Sequence, residues 1–264
     1  MLFPRMRRHC GQSLIFAVQP FMYLSVIIPS YKSARVLQNN IPYLAGFLRK
    51  KGISYEILIV DDGSGDAGLT RQASDQLGCR YLSNDKNLGK GAALKKGMLA
   101  AKGQFRIFTD ADIPFEAEAI EKFLHYLDQK EFDIVVGDRT LEGSSYHRKI
   151  PGLRKMASSW FSFLVGRFVV GGMFDTQCGL KGFRAGVAED LFGVSRIKGF
   201  TVDVEVLYVA LKRNYDIKRL PVILRSQEGT SVNILRHSLT MFTDLFRIKL
   251  NHVLHRYDKR SKTV

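Results

Sequence analysis

The sequence predicts an α/β protein with a mostly parallel sheet flanked by helices. Short apolar runs with strand composition alternate with longer segments of helical periodicity. Several apolar runs end directly in polar, acidic or glycine-containing segments, as strands do at the edge of an open sheet. The chain has 264 residues, 45% of them hydrophobic, which suffices for one large domain. We find no repeat, low-complexity tract or linker that divides it.

The elements follow from these runs in chain order. The first strand, LSVII, is ended by Pro29. We predict strands over 24–28, 55–60, 80–83, 104–109 and 132–137. We predict helices over 35–50, 67–77, 90–101, 116–129, 152–170 and 202–213. Strands that alternate with helices in this way form parallel sheets with both faces covered.

The two ends of the chain differ from this pattern. Residues 1–21 hold arginines and an apolar stretch, 14–18, that is too short for a signal peptide. We predict a disordered extension there, with an interfacial anchor as the alternative. The main domain is then 22–232, and 233–264 is a basic amphipathic helix and tail.

Two carboxylates, Asp110 and Asp112, follow the apolar run FRIFT. Ligands of open α/β sheets bind beyond the carboxyl ends of the strands. Magnesium is usually held there by one or two carboxylates together with substrate phosphates. The pair therefore indicates a metal site that clamps a diphosphate, although acidic pairs also occur in ordinary loops.

Two further segments with polar residues also follow predicted strands. Asp61 and Asp62 begin the turn DDGSGD after the second strand, where they could accept hydrogen bonds from a base or ribose, or cap a turn. The segment NLGKG, with Asn87 and Lys90, opens a helix whose N–H groups could face an anion. It lacks the Walker spacing and a complete GxGxxG, which argues against kinases and dehydrogenases.

Together these segments resemble a known enzyme family. SVIIPSY, ILIVDDGSGD, NLGKGAALKKG, FTDAD and DTQCGLKGFR occur in order between residues 24 and 232. They are similar to the family 2 glycosyltransferases, which have the Rossmann-like GT-A fold. The last segment, with VDVEVLY, looks most like the polyprenyl-phosphate branch, that is, the dolichyl-phosphate glucosyltransferases and mannosyltransferases, and closest to the β-glucosyltransferase type.

The resemblance implies an inverting transfer of a sugar from a nucleotide diphosphate to a polyprenyl phosphate. UDP-glucose is the favoured donor, GDP-mannose the alternative, and Mg²⁺ or Mn²⁺ the cofactor, with Asp110 and Asp112 as its ligands. The implied donor-binding residues are Pro29, Tyr31, Asp61, Asp62, Asn87, Lys90 and Asp110. Two positions depart from the family pattern: Pro114 replaces a third metal ligand of some relatives, and Ser33 replaces a common glutamate.

The acceptor side is basic. A phosphate monoester is already an anionic nucleophile, so it needs cations more than a strong base. The resemblance implies that Arg139, Arg154, Ser158, Lys181 and Arg225 bind the acceptor phosphate. Arg139 and Lys181 would also be catalytic, with Asp175 as an orienting or base-like carboxylate. The alternative is a family 2 enzyme that acts on a saccharide hydroxyl with Asp203 or Glu205 as base.

Charge and hydropathy suggest where the protein acts. The net charge is +15, and basic residues cluster in 139–184 and from 225 to the end. No nucleic-acid-binding signature accompanies them, so we predict no nucleic-acid partner. Both regions are also apolar, and we predict interfacial helices on an anionic membrane over 156–174 and 234–257, against the alternative that they simply pack on the domain.

Neither region is a convincing membrane span, since Arg167 interrupts the first. The three cysteines, Cys10, Cys79 and Cys178, form no disulfide framework, which is typical of a reducing compartment. We therefore predict a peripheral protein at the cytoplasmic membrane face. A non-catalytic basic membrane- or nucleic-acid-binding module is a distant alternative, and the intact acidic motifs argue against it. The sequence does not indicate the oligomeric state.

Overall fold

One mixed sheet organises the protein. The computed structural model describes residues 22–145, 171–173, 175–225 and 234–258. In this part of the chain, seven strands pair in the order β3-β2-β1-β4-β6-β5-β7. They are β1 (Leu24–Ser30), β2 (Tyr55–Asp61), β3 (Arg80–Ser83), β4 (Phe105–Thr109), β5 (Ile134–Asp138), β6 (Leu180–Arg184) and β7 (Ile217–Pro221).

The strand directions bring most strand ends to one edge. β1 pairs in parallel with β2 on one side and with β4 on the other, so the chain order reverses at β1. β2 and β3 are parallel, as are β5 and β7. β6 alone among the described strands runs antiparallel, between β4 and β5. Its first residue, Leu180, therefore pairs with the last residue of β4, Thr109.

Helices cover both faces of the sheet. They are α1 (Ala34–Lys50), α2 (Leu69–Gln76), α3 (Lys90–Ala100), α4 (Glu118–Asp128), α5 (Ala185–Val194), α6 (Val202–Lys212) and α7 (Ile234–Val253). Ile27 of β1 belongs to a core formed with α3, α5 and α6, whereas its neighbour Ile28 belongs to a core formed with α1 and α4. This two-sided burial explains why the central strands read as continuous apolar runs.

The predicted mostly parallel α/β sheet is confirmed. All five predicted strands are present, with ends that differ by at most two residues. Five of the six predicted helices correspond to α1, α2, α3, α4 and α6. The sixth, 152–170, lies outside the described residues, as do the extension 1–21 and the tail from 259.

The strands β6 and β7 and the helix α5 were not predicted. β6 has the sequence LKGFR and β7 the sequence IKRLP, so both carry charges that mask strand periodicity. In the sheet, Lys181 of β6 is fully buried and ion-paired, which the local sequence cannot indicate. No helix in the described ranges is both long and apolar enough to cross a bilayer.

Candidate active site

The predicted motifs meet at one edge of the sheet. β1, β2, β4 and β5 end there, and the segment 175–179 reaches the same edge because β6 starts beside the end of β4. Neighbouring strands lie about 4.8 Å apart, so β4 and β5, which flank β6, are separated by roughly 10 Å. The turn after β4 and the turn after β5 are thus close enough to contact two parts of one reacting complex.

Lys90 binds the first carboxylate of the acidic pair. Its Nζ lies 2.7 Å from Oδ1 of Asp110 and 4.0 Å from Oδ2 of Asp203. Burial acts to lower the pKa of Lys90, but the charges of Asp110 and Asp203 outweigh it and leave the pKa raised. Lys90 is therefore a permanent ammonium ion between two carboxylates.

A second ion pair lies beneath the first. Lys181 Nζ donates to Oδ1 of Asp203 at 2.6 Å and to the carbonyl oxygen of Cys178 at 2.7 Å. Its ammonium also lies over the ring of Phe108. Asp110, Lys90, Asp203 and Lys181 thus form a charge ladder that runs from the sheet edge into the core. Because Lys181 is fully buried, direct contact with an acceptor phosphate does not fit its position.

The acidic pair lies on a constrained turn. Asp110 and Asp112 are partly exposed, and the N–H of Ile113 donates to the carbonyl oxygen of Asp110 at 3.0 Å. Ile113 has φ of 41°, a left-handed conformation that is rare for a β-branched residue. A Cβ at Gly179 would lie 2.1 Å from Oδ2 of Asp110, so a larger residue there would displace this carboxylate.

This turn fits a divalent cation with phosphate co-ligands. Within the described residues, no group of three or more His, Cys, Asp or Glu side chains could hold a metal by itself. Asp110 already binds one cation, the ammonium of Lys90, and Asp112 adds to the field that stabilises it. Magnesium typically uses one or two carboxylates and completes its shell with substrate phosphates and water. The donor set is thus sufficient for that mode of binding.

Asp61 and Asp62 are buried and already hydrogen-bonded. Oδ1 of Asp62 accepts from Nδ2 of Asn84 at 2.8 Å and from the N–H of Leu88 at 3.0 Å, and Oδ2 accepts from the N–H of Gly89 at 2.6 Å. Asp61 accepts from Tyr81 and from Ser64. These contacts agree with the structural interpretation of the two carboxylates, which shape the turn and fix the start of α3. Their direct contact with a nucleotide stays a prediction.

The N–H groups that open α3 are occupied within the protein. Gly91 and Ala92 donate to the carbonyl oxygen of Lys198 at 2.7 and 3.2 Å, in addition to the bonds of Leu88 and Gly89 to Asp62. The expectation that these backbone groups face the donor is therefore not supported. Lys198 is distant in sequence, so the motif alone could not reveal this contact. What the segment presents at the edge is the ammonium of Lys90.

The end of β1 offers an aromatic surface. Tyr31 is exposed, Pro29 is partly buried, and Asn87 across the edge is also exposed. Ser33, in the place of the family's common glutamate, donates from Oγ to the carbonyl oxygen of Tyr31 at 2.9 Å. An exposed tyrosine at a strand end can stack on a base without rearrangement of the core.

Arg139 is clamped by Asp175 at the end of β5. The backbone N–H and Nε of Arg139 donate to Oδ2 of Asp175 at 2.7 and 2.9 Å, and Nη2 donates to Oδ1 at 2.6 Å. Burial acts to raise the pKa of Asp175, but the hydrogen bonds and charge of Arg139 outweigh it, and the pKa is lowered. Of its two predicted roles, Asp175 therefore suits the orienting one, because a carboxylate with a lowered pKa is a weak base.

Arg225 contacts α1 and the segment that follows the acidic turn. Its Nη2 donates to Oδ1 of Asn40 at 2.7 Å, and its guanidinium lies 4.0 Å from the ring centroid of Tyr43. Its N–H donates to the carbonyl oxygen of Pro114 at 2.8 Å. These contacts tie Arg225 to α1 and to Pro114, just after the acidic turn. Arg154 and Ser158 lie outside the described residues.

The two alternative bases are both buried. Glu205 accepts from the N–H of Ile197 at 2.9 Å and from the hydroxyl of Tyr257 at 2.7 Å. Burial raises its pKa, against the effect of these donors. Asp203 is held by Lys181, as described above. Neither carboxylate is presented at the edge where a sugar hydroxyl would arrive.

The glycosyl transferase family 2 model matches residues 25–192. The chain belongs to this family. Among curated relatives, the dolichyl-phosphate beta-glucosyltransferase of Dictyostelium discoideum is 32% identical over 94% of this chain and 80% of its own length. The enzyme of that name from Homo sapiens is 30% identical over 89% of this chain and 77% of its own length. The resemblance drawn from the motifs is thus confirmed, and the protein is a glycosyltransferase.

Solved structures confirm the GT-A fold. Glucosyl-3-phosphoglycerate synthase from Mycobacterium tuberculosis, in complex with Mn²⁺, UDP and glucosyl-3-phosphoglycerate, superposes with a TM-score of 0.65 at 17% identity, covering 86% of this chain and 80% of that one. Mannosyl-3-phosphoglycerate synthase from Rubrobacter xylanophilus gives a TM-score of 0.67 at 14% identity, covering 92% and 78%. At these identities the likeness concerns the fold.

Proposed function

We propose that this glycosyltransferase moves glucose from UDP-glucose to a polyprenyl phosphate of the dolichyl type, with inversion and with Mg²⁺ or Mn²⁺. The relatives named dolichyl-phosphate beta-glucosyltransferase cover most of the chain and support the reaction class. The observation that carries the proposal is the pairing of two turns at one edge. One turn bears the partly exposed carboxylates Asp110 and Asp112. The other bears Arg139, which is ion-paired with Asp175.

The donor belongs at the turn after β4. A bound divalent cation on Asp110 and Asp112 would neutralise the charge that grows on the diphosphate leaving group. Lys90, charged and adjacent to Asp110, adds a second cation on the same side. Tyr31 at the end of β1 provides the surface on which the base stacks. The complexes of the mycobacterial synthase with UDP and Mn²⁺ or Mg²⁺ support the same choice of nucleotide and metal.

The acceptor belongs at the turn after β5. The guanidinium of Arg139 is planar and can bind a phosphate through two N–H groups once it is oriented. Asp175 supplies that orientation, since it holds the arginine through three hydrogen bonds. Lys181 does not touch the phosphate in this account. It is a positioning residue that holds Asp203, and through it Lys90, beneath the turn after β4.

The reaction then needs no general base. An oxygen of the acceptor phosphate attacks the anomeric carbon of the sugar while the bond to the β-phosphate of the donor breaks on the opposite side. The attacking oxygen is already anionic near neutral pH, so no proton has to be removed in this step. The lowered pKa of Asp175, the carboxylate that binds Arg139, fits this chemistry, because this group is a weak base.

The lipid acceptor sets the place of action. A polyprenyl chain lies in a bilayer, and nucleotide sugars are water-soluble, so the enzyme must work at a membrane surface. The free, buried thiols of Cys79 and Cys178 are compatible with a reducing compartment. We therefore place the reaction at the cytoplasmic membrane face.

A transfer assay tests the proposal. The purified chain is incubated with radiolabelled UDP-glucose or GDP-mannose, with Mg²⁺ or Mn²⁺, and with one of three acceptors: a polyprenyl phosphate, the matching neutral polyprenol, or a free saccharide. We expect label in the polyprenyl phosphate fraction, chiefly from UDP-glucose, and loss of transfer with EDTA. Efficient transfer to the saccharide, with none to the polyprenyl phosphate, would instead establish a hydroxyl acceptor.

A further inference from the structure

The outward face of α7 and the turn that follows it carry an apolar stripe. Phe246, Leu250, Val253 and Leu254 are 75, 55, 70 and 48% exposed. Residues three and four apart lie on one side of a helix, so these side chains form a continuous line. Scattered exposed apolar residues are normal, but a contiguous line of large ones marks an interaction site. We call these four residues the α7 stripe.

The opposite face of α7 is fixed to the domain, so the stripe does not turn inward. Asp244, Ile248 and Asn251 are buried on that face. Beyond the helix, the hydroxyl of Tyr257 donates to Glu205 at 2.7 Å, and Arg213 donates to the carbonyl oxygen of Tyr257. These contacts fix the orientation of α7, so the α7 stripe stays on the outward face.

Basic side chains border the stripe. Arg247, Lys249 and Arg256 are exposed around it. Of the two acidic residues in 240–258, Asp244 is buried against Gly199 and bound by Arg247, and Asp258 is paired with His255. An apolar face with flanking cations is the pattern of a helix that lies in the headgroup region of an anionic bilayer.

The helix also contacts the acceptor side of the active site. Nε2 of Gln177 lies 3.9 Å from the sulfur of Met241, one helical turn before the stripe begins. Gln177 stands two residues from Asp175, which clamps Arg139. A membrane that contacts α7 would therefore lie close to the turn to which we assign the acceptor phosphate.

We propose that the α7 stripe inserts into the interface of an anionic bilayer and seats the acceptor turn against the membrane. This inference rests on the proposed function, because a polyprenyl phosphate presents its headgroup at that interface. A second copy of the chain fits the stripe less well. A symmetric contact through a single helix face would bring Arg247, Lys249 and Arg256 of both copies together, and like charges would oppose it.

The test compares the full chain with a double substitution, Phe246→Ser with Leu250→Ser. A matched control, Leu69→Ser with Leu99→Ser, removes two exposed leucines from α2 and α3. Flotation with vesicles of phosphatidylcholine and phosphatidylglycerol, without nucleotide or acceptor, measures binding. We expect the α7 variant to lose about tenfold or more of its partitioning into these vesicles, and the control variant to lose none. We expect the wild type to bind vesicles of pure phosphatidylcholine weakly and to be released from the anionic vesicles by high salt. Melting curves verify that both variants fold.

A second readout separates this inference from the proposed function. With a water-soluble short-chain polyprenyl phosphate, we expect the α7 variant to turn over like the wild type, whereas with a long-chain acceptor in vesicles it should be slow. Vesicle binding that depends on the stripe, without transfer to any phosphate acceptor, would support the docking surface and refute the proposed function. Vesicle binding by the α7 variant equal to wild type overturns the inference. So does a wild-type dimer in light scattering that the substitution dissociates while vesicle binding stays unchanged.

Discussion

At the scale of single residues, the groups that we propose to bind ligands are more exposed than the groups that support them. Asp112 and Arg139 lie on turns at the sheet edge, whereas Asp62, Lys181 and Glu205 are buried and hydrogen-bonded within the protein. Element ends predicted a place near one site for Asp62 and Asp112, and the family resemblance implied the same for Arg139, Lys181 and Glu205. The sequence could not rank them, because exposure depends on partners far away in the chain.

Asp112 provides the sharpest residue-level prediction. Asp112→Ala should reduce metal-dependent transfer by at least about 100-fold, because a carboxylate ligand of the cation is lost. The side chain is partly exposed, so the free energy of unfolding should change by no more than roughly 0.5 kcal/mol. Mn²⁺ titration with UDP, transfer rates and a melting curve check both statements, with Asp85→Ala as an exposed control. A folded variant with wild-type turnover and Mn²⁺ affinity would disprove the assignment.

The Arg139–Asp175 pair predicts a pH dependence with a definite sign. The pKa of Asp175 is lowered in the folded state, so the pair stabilises the protein above the ordinary carboxyl pKa and is lost as the pH falls through the lowered value. The free energy of unfolding of wild type should exceed that of Asp175→Asn by a constant amount at neutral pH. The difference should shrink below about pH 4. Urea unfolding across the acid range measures it, and a difference that grows on acidification would contradict the pair.

At the scale of elements, the sequence predicted the five strands β1 to β5 and missed β6 and β7. A run such as 55–60 can be recognised as a strand from its sequence alone. Helices cover both faces of this strand, so most of its residues are apolar. β6 is different: its buried Lys181 is tolerated only because Asp203 on α6 compensates it. β7 pairs with β5 although two of its five residues are basic. These two segments form strands because of contacts with residues distant in sequence, and the local hydrophobic periodicity does not indicate those contacts.

The β6–α6 ion pair can be tested by charge removal. Asp203→Asn leaves Lys181 buried without its counter-charge and should cost about 3–5 kcal/mol of stability. Adding Lys181→Met should restore most of the loss, because the uncompensated charge is gone. Chemical denaturation of the single and double variants gives the two values. Equal instability of both would mean that the ladder does not act through charge.

The same substitution distinguishes the two acceptor chemistries. If a phosphate is the nucleophile, folded Asp203→Asn enzyme that binds donor normally should retain substantial turnover. If a sugar hydroxyl is the nucleophile and Asp203 its base, the rate should fall by on the order of 10²–10⁴. Rates are therefore compared per folded molecule and alongside donor affinity, since Asp203 also lies 4.0 Å from Lys90.

The attachment of α7 gives a further prediction at this scale. Tyr257→Phe removes the hydroxyl that donates to buried Glu205 and should cost roughly 1–3 kcal/mol. Urea unfolding measures the loss, with Tyr31→Phe, an exposed tyrosine, as the control. An unchanged midpoint for Tyr257→Phe would show that the end of α7 is held by other contacts.

At the scale of the whole molecule, one sheet edge brings together the two turns to which we assign the donor and the acceptor. In the proposed function, the acidic turn after β4 receives a cation and a soluble nucleotide sugar, and the turn after β5, which bears Arg139, receives an anionic acceptor. The antiparallel β6 between them sets their separation and contributes Lys181, the innermost residue of the charge ladder. The net charge of +15 suits the proposed function, in which the donor, the acceptor and the membrane surface are all anionic.

The central claim is that Arg139 binds the acceptor phosphate while the acidic turn binds the donor. The most direct measurement compares Arg139→Ala with wild type by calorimetric titration of UDP-glucose and Mn²⁺ and by the KM for polyprenyl phosphate. We predict an unchanged affinity for the donor and a KM for polyprenyl phosphate raised by about tenfold or more, because the variant loses a charged hydrogen-bonding partner of the phosphate. Weakened donor binding with an unchanged acceptor KM would contradict it.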